Sequence, residues 1–192
     1  MFKCLLFLTV LFGNAEKKQS DTIIKWSRNH RLDYDDFRGK HDAGERIGSV
    51  GVKDSVIADT FAVISCFIKY DLKFVSGKRS VHAYGAADPQ KSWIDVKDPQ
   101  ILRHEQGHFD ITEIYARKFE QIMNKTTIPD LHNYFVFLTD TYNATMTDLL
   151  AEQNKYDAWV RNTFGKEYYY KWINEQLFQA KDASGDSTWN GN

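Results

Sequence analysis

Residues 98–123 read Asp-Pro-Gln-Ile-Leu-Arg-His-Glu-Gln-Gly-His-Phe-Asp-Ile-Thr-Glu-Ile-Tyr-Ala-Arg-Lys-Phe-Glu-Gln-Ile-Met, and the centre of this stretch, His104-Glu105-Gln106-Gly107-His108, decides how the chain is read. On a helix each residue advances about 100°, so His104 and His108 lie about 40° apart on one face. Two imidazoles so placed can share one metal ion, and zinc suits the donors. The carboxylate of Glu105 lies beside such an ion and can accept a proton from a water that the ion activates.

The stretch carries its own helix signals. Asp98 is a capping residue and Pro99 suits the first helical position, where no amide hydrogen is needed. Ile101, Leu102, Phe109, Ile111, Ile114, Tyr115 and Phe119 recur in steps of three and four. Asn124 is a stop signal, with Pro129 soon after. Gly107 costs about 1 kcal/mol relative to alanine in a helix interior. Either a neighbouring backbone passes close there, or the helix tolerates a weak spot. Glu113 and Asp110 fall about 180° and about 240° from His104, on the back face, bonded to another element or solvated. A third ligand must therefore come from elsewhere. Two ordinary surface histidines would show the same spacing, but the cap and the apolar period argue against that reading.

The chain has 192 residues, enough for one domain with a core, and 15% of them are aromatic. Its 25 Lys and Arg against 26 Asp and Glu leave no basic surplus, so nucleic acid is not an expected partner. Residues 1–15 read as a signal peptide: Lys3, an apolar run from Cys4 to Phe12, then Gly13-Asn14-Ala15 at the cleavage positions. That run is too short to span a bilayer and no later one is longer, so no transmembrane segment is expected after cleavage. Loss of Lys3 takes the formal charge from −1 to −2. Cys66 then remains alone, which excludes an internal disulfide and suggests a buried, inert thiol. Residues 16–192 are expected to form one domain.

In chain order, Ile23, Ile24 and Trp26 suggest a first short strand. The Asp-rich run Leu32-Asp33-Tyr34-Asp35-Asp36-Phe37 suggests a turn with Tyr34 and Phe37 packed inward, rather than a metal site. His30 and His41 read as surface residues. Ser49 to Ile57 and Thr60 to Val75 read as strands, the latter broken near Tyr70 and Asp71. Arg79 to Tyr84 reads as another, with His82 facing solvent. Gly85 to Pro89 suggests a break and Ser92 to Val96 a last strand. A second helix is expected from Thr127–Asp130 onward, with a stripe through Phe135, Leu138, Tyr142, Met146, Leu149, Gln153, Tyr156 and Val160, and a third over Lys166 to Ala180. Asp157 and Glu152 flank that stripe on opposite edges, and each needs a partner if buried. A zinc ion would be such a partner, which makes either acid a candidate third metal ligand, and so would an Arg or Lys. The order predicts an α+β fold: a mainly antiparallel N-terminal sheet, the helix with the two histidines, and a long helical C-terminal part.

Together these residues resemble a family of bacterial secreted, predicted zinc-dependent proteases, first catalogued as a domain of unknown function. The markers are Trp26, the run from Leu32 to Gly39, Ser92-Trp93, Leu102 to Ile111, Tyr156-Asp157 and Trp172. The resemblance covers most of the chain after the leader. It implies a zincin-like zinc metallopeptidase, with the active-site helix at residues 98–123, in the periplasm or outside the cell. That family follows its Tyr-Asp pair with a Thr and then a His, where this chain has Val160 and Asn162. If the histidine is the family's third ligand, this chain lacks it; if the aspartate is, Asp157 keeps the set whole.

The expected chemistry is hydrolysis of a peptide or protein substrate, with Zn2+ on His104, His108 and Asp157 and Glu105 as general base. Tyr156 or Tyr115 is a candidate to steady the oxyanion, and the substrate is expected to add as a strand along the sheet edge before the metal helix. Two alternatives remain open: a catalytically impaired envelope module that keeps the fold, motivated by Asn162, and a hydrolase of a non-peptide bond. Oligomeric state is not legible.

Overall fold

The computed structural model describes residues 23–40, 61–75, 78–161 and 163–179. The expected leader, His41, the strand Ser49–Ile57 and Asn162 lie outside the described residues. The fold is α+β: among the described residues five strands precede three helices. They are β1 (Ile24–Lys25), β2 (Ala62–Val63), β3 (Cys66–Val75), β4 (Lys78–Ala87), β5 (Trp93–Ile94), α1 (Pro99–Lys125), α2 (Leu131–Trp159) and α3 (Thr163–Gln179).

The long antiparallel pair β3–β4 runs in unbroken register from Cys66↔Ala87 to Val75↔Lys78. This corrects two expectations. Tyr70 and Asp71 do not interrupt β3; they pair with Ala83 and His82. Gly85 does not end β4 but pairs with Ile68, and β1 completes the strand at Ala86 and Ala87. Gly85 is kept small because a Cβ there would press to 3.0 Å on the Glu113 backbone. β2 and β5 form a separate two-stranded ribbon.

Beyond the two residues of β1, the outer edge of β4 is closed by helix α1. Glu113 accepts from Gly85 N–H (2.7 Å), Glu120 from Ala83 N–H (2.7 Å), and Asn124 both accepts from and donates to Val81 (2.8 Å each). These three side chains lie within about 40° of one another around the helix, so they act as a surrogate strand on every second residue of β4. A strand edge must be paired or covered, and α1 covers this one.

Helix α1 begins as read: Asp98 accepts from Gln100 N–H (2.6 Å) and Pro99 is the first residue. Its apolar side, with Ile111, Ile114, Ala116 and Phe119 almost fully buried, packs into a core shared with Ile68, Val81, Leu149 and Tyr156. Helix α2 starts after Pro129, not around it, because Asp130 is the cap and accepts from Asn133 N–H (2.8 Å). Helix α3 starts at Thr163, three residues earlier than Lys166. It buries Tyr169, Ile173 and Leu177. Among the described residues no helix is long and apolar enough to cross a membrane.

Candidate metal centre

The histidines of α1 meet one carboxylate oxygen of α2. His104 Nε2 is 3.2 Å and His108 Nε2 is 2.9 Å from Asp157 Oδ1, and the two imidazole nitrogens are 3.2 Å apart. A tetrahedral zinc with ligands at about 2.0–2.2 Å needs ligand atoms separated by roughly 3.3–3.6 Å, so the triangle is nearly the face of such a tetrahedron. All three side chains keep some exposure, 29% for His104, 12% for His108 and 46% for Asp157, which leaves the group open on one side. Among the described residues it is the one cluster of His, Cys, Asp or Glu with metal-ligand spacing, and it could hold a metal ion.

The charges suit each other. Burial works against Asp157, but the hydrogen bonds and charges of both imidazoles hold its carboxyl well below the usual carboxylate range. Burial would pull His108 down; Asp157, with Glu105 and Gln153, outweighs it and lifts the ring above an ordinary histidine.

Tyr156 is the wall behind the two rings. It is fully buried, its ring stacks on His104 (5.0 Å, 14°) and meets His108 edge-on (4.9 Å, 87°). Its hydroxyl donates to the His104 carbonyl (3.1 Å). This explains Gly107: a Cβ there would fall inside the Tyr156 hydroxyl and Cζ. The glycine makes room for an aromatic side chain, not for a neighbouring backbone, and it is no mere weak spot. The Tyr156 hydroxyl proton is thereby committed to the backbone of α1. Burial, then the charges around it, lift its pKa well above the ordinary phenol value. Tyr115 is buried with a Lys118 ammonium over its ring (4.2 Å), and burial pushes its hydroxyl up to about 12.

Glu105 and Gln106, two of the three residues between the histidines, each hold an incoming backbone. Glu105 is buried and accepts from Ile64 N–H (2.9 Å). Burial pushes its carboxyl up, with His108 and His104 pulling partly back. Gln106 accepts from Leu32 N–H (2.8 Å) and donates to Asp110 (2.7 Å). Asp110 also accepts from Trp26 Nε1 (2.8 Å) and pairs with Arg31 (3.2 Å). So the back-face acids are bonded, and the N-terminal segment is pinned behind the metal helix.

Gln153 was read only as part of an apolar stripe, yet its side-chain oxygen faces His108 Nδ1 and its amide reaches Thr112 (3.1 Å). Nothing in a local pattern signals this, since the partner lies 45 positions away. Cys66 stands on the same network, 3.0 Å from Thr112 Oγ1; burial pushes the thiol up, so it stays protonated at neutral pH.

The other candidates fall elsewhere. Glu152 accepts from the Tyr169 hydroxyl (2.9 Å) and lies near Lys155 (3.7 Å), not with the histidines. Val160 is the buried cap that ends α2. The Asp-rich run forms a short 3-10 turn, Tyr34–Asp36, with Asp33 accepting from Asp35 N–H and Asp36 from Asp33 N–H. Tyr34 and Phe37 are half-buried, while Asp36 is buried and faces His30 (3.3 Å). His82 is exposed and pairs with Glu120 (3.2 Å).

No protein-family model, curated protein or solved structure matches this chain.

Proposed function

We propose that this chain is a zinc-dependent hydrolase of peptide bonds, exported from a bacterial cell, as the resemblance to the secreted zinc-protease family implies. The observation that carries the proposal is the convergence of His104 Nε2, His108 Nε2 and Asp157 Oδ1 within 3.2 Å of one another on an open side of the domain. Two imidazoles and one carboxylate are the donor set of catalytic zinc sites, which keep a fourth position free. Zinc held there supplies a Lewis acid that lowers the pKa of water to about 7.

The protein's own groups do the rest. Glu105 adjoins the first ligand, and burial raises its carboxyl toward the range where a base takes a proton and gives it back. Its Oε2 is held by Ile64 N–H, which fixes the carboxylate's orientation. In this mechanism Glu105 takes the proton of the attacking water and returns it to the leaving amine. Tyr156 keeps the two rings in place from behind. The peptide does not add to β4, whose edge α1 occupies with Glu113, Glu120 and Asn124.

Glu105→Gln tests the assignment, because glutamine can keep the Ile64 hydrogen bond without acting as a base. Expected are about one zinc per chain in both proteins and cleavage of a mixed peptide library by the wild type alone. Cleavage that survives Glu105→Gln would remove Glu105 as the base. A wild type that binds zinc but cleaves nothing in the library would favour the impaired-module reading that Asn162 suggests.

A further inference from the structure

We propose that Gln153 is a positioning residue that sets which nitrogen of His108 faces the metal, an inference that rests on the zinc reading above. Helix α2 then delivers two things one turn apart: the ligand Asp157 and the group that aims a ligand of α1.

The direction of the Gln153 amide decides which nitrogen of His108 carries the hydrogen. Its nitrogen lies 3.1 Å from Thr112 Oγ1, 3.5 Å from the His108 carbonyl oxygen and 3.6 Å from Cys66 Sγ. The Thr112 hydroxyl is itself 2.9 Å from that same carbonyl and can donate to it. A carbonyl oxygen only accepts, and a threonine oxygen that donates to it is left to accept. The hydroxyl's other acceptor is Cys66 Sγ at 3.0 Å. With its proton on either one, the threonine oxygen is left to accept, so the NH2 of Gln153 is the group that completes this set of hydrogen bonds. Turning the amide over would set its oxygen against the His108 carbonyl oxygen.

With the NH2 so placed, the Gln153 oxygen is the atom beside His108 Nδ1. An amide oxygen accepts, so Nδ1 carries the hydrogen. The lone pair of the ring is then on Nε2, the nitrogen 2.9 Å from Asp157 Oδ1 and 3.2 Å from His104 Nε2. A histidine ligand is commonly held in this way by a partner on its other nitrogen, which fixes the ring and strengthens the donor. His108 is the more enclosed of the two rings, so a wrong orientation there has little water to compensate for it.

Three variants test this, each checked for fold by near-UV circular dichroism without metal. Gln153→Met keeps the length and removes the acceptor. Gln153→Glu restores an acceptor. Thr112→Val leaves Gln153 in place but removes the hydroxyl that holds its NH2. Zinc affinity is read by competition with a chelator, and the His108 Nδ1–H by 15N-edited NMR of the zinc-loaded protein. Expected is a Nδ1–H resonance protected from solvent exchange in the wild type and lost in Gln153→Met. Zinc affinity should fall about 10–100-fold in Gln153→Met and return to the wild-type level or above in Gln153→Glu. Thr112→Val should lie between, and it carries the test if Gln153→Met does not fold. Wild-type affinity and a protected Nδ1–H in Gln153→Met, or in Thr112→Val where that variant stands in, would overturn the role of Gln153 while leaving the zinc reading intact. A wild type that takes up no zinc would overturn both.

Discussion

Replacing Gly107 by alanine should destabilise this protein, against the ordinary expectation for a helix interior. Alanine in place of glycine normally gains about 1 kcal/mol there. Here the added Cβ would overlap the hydroxyl and Cζ of Tyr156, a fully buried ring packed between His104, His108 and Tyr169. Overpacking of that kind costs about 1–3 kcal/mol. A displaced Tyr156 also loses the His104 carbonyl, leaving a buried hydroxyl unpaired at about 1–3 kcal/mol more. The balance is a loss centred near 3 kcal/mol, or a drop in Tm of roughly 6–12 °C for a domain of this size. Thermal and urea unfolding of the metal-free protein measure it. A Tyr156→Leu background should remove the penalty, so that Gly107→Ala becomes neutral or stabilising in that setting. If Gly107→Ala alone raises Tm, the explanation of the glycine is wrong.

The remaining expectations concern the sheet edge and the pH. Asn124→Ala should cost about 1–2 kcal/mol and speed hydrogen exchange at the Val81 amide, while the Ala83 amide, held by Glu120, keeps its protection; equal exchange at both would refute the surrogate-strand account. Zinc binding should weaken as pH falls from about 8 to about 6, because His108, lifted above an ordinary histidine, must shed a proton to ligate. Without metal the sign is opposite: the His108–Asp157 pair adds stability while His108 is charged, and that part is lost as pH rises through its raised pKa. Zinc affinity that stays flat across this range would contradict the assignment of His108.

The metal helix was legible because its signals are local. Asp98 and Pro99 mark its start, and the apolar steps from Ile101 to Phe119 give its buried side. The convergence of Asp157 was accessible as a preference, since an acid at the margin of a buried stripe needs a partner. What stayed hidden depends on contacts between distant parts of the chain. Gly107 is explained by Tyr156, and Gln153 by His108 and Thr112, and neither pairing has a period or a spacing to reveal it. The strands were misread where a local break signal met a long-range pairing: Gly85 looked like an end, but Ile68 and Glu113 hold it inside β4. Glu113 read as a back-face acid and Asn124 as a stop signal, and only the position of β4 shows that they, with Glu120, close a sheet edge.

The most direct measurement is an anomalous difference map, recorded at the zinc absorption edge from a crystal equilibrated with zinc. The account predicts one strong peak about 2.0–2.2 Å from each of His104 Nε2, His108 Nε2 and Asp157 Oδ1. A peak held by other side chains, or none at this triangle in a folded and zinc-equilibrated protein, would contradict it.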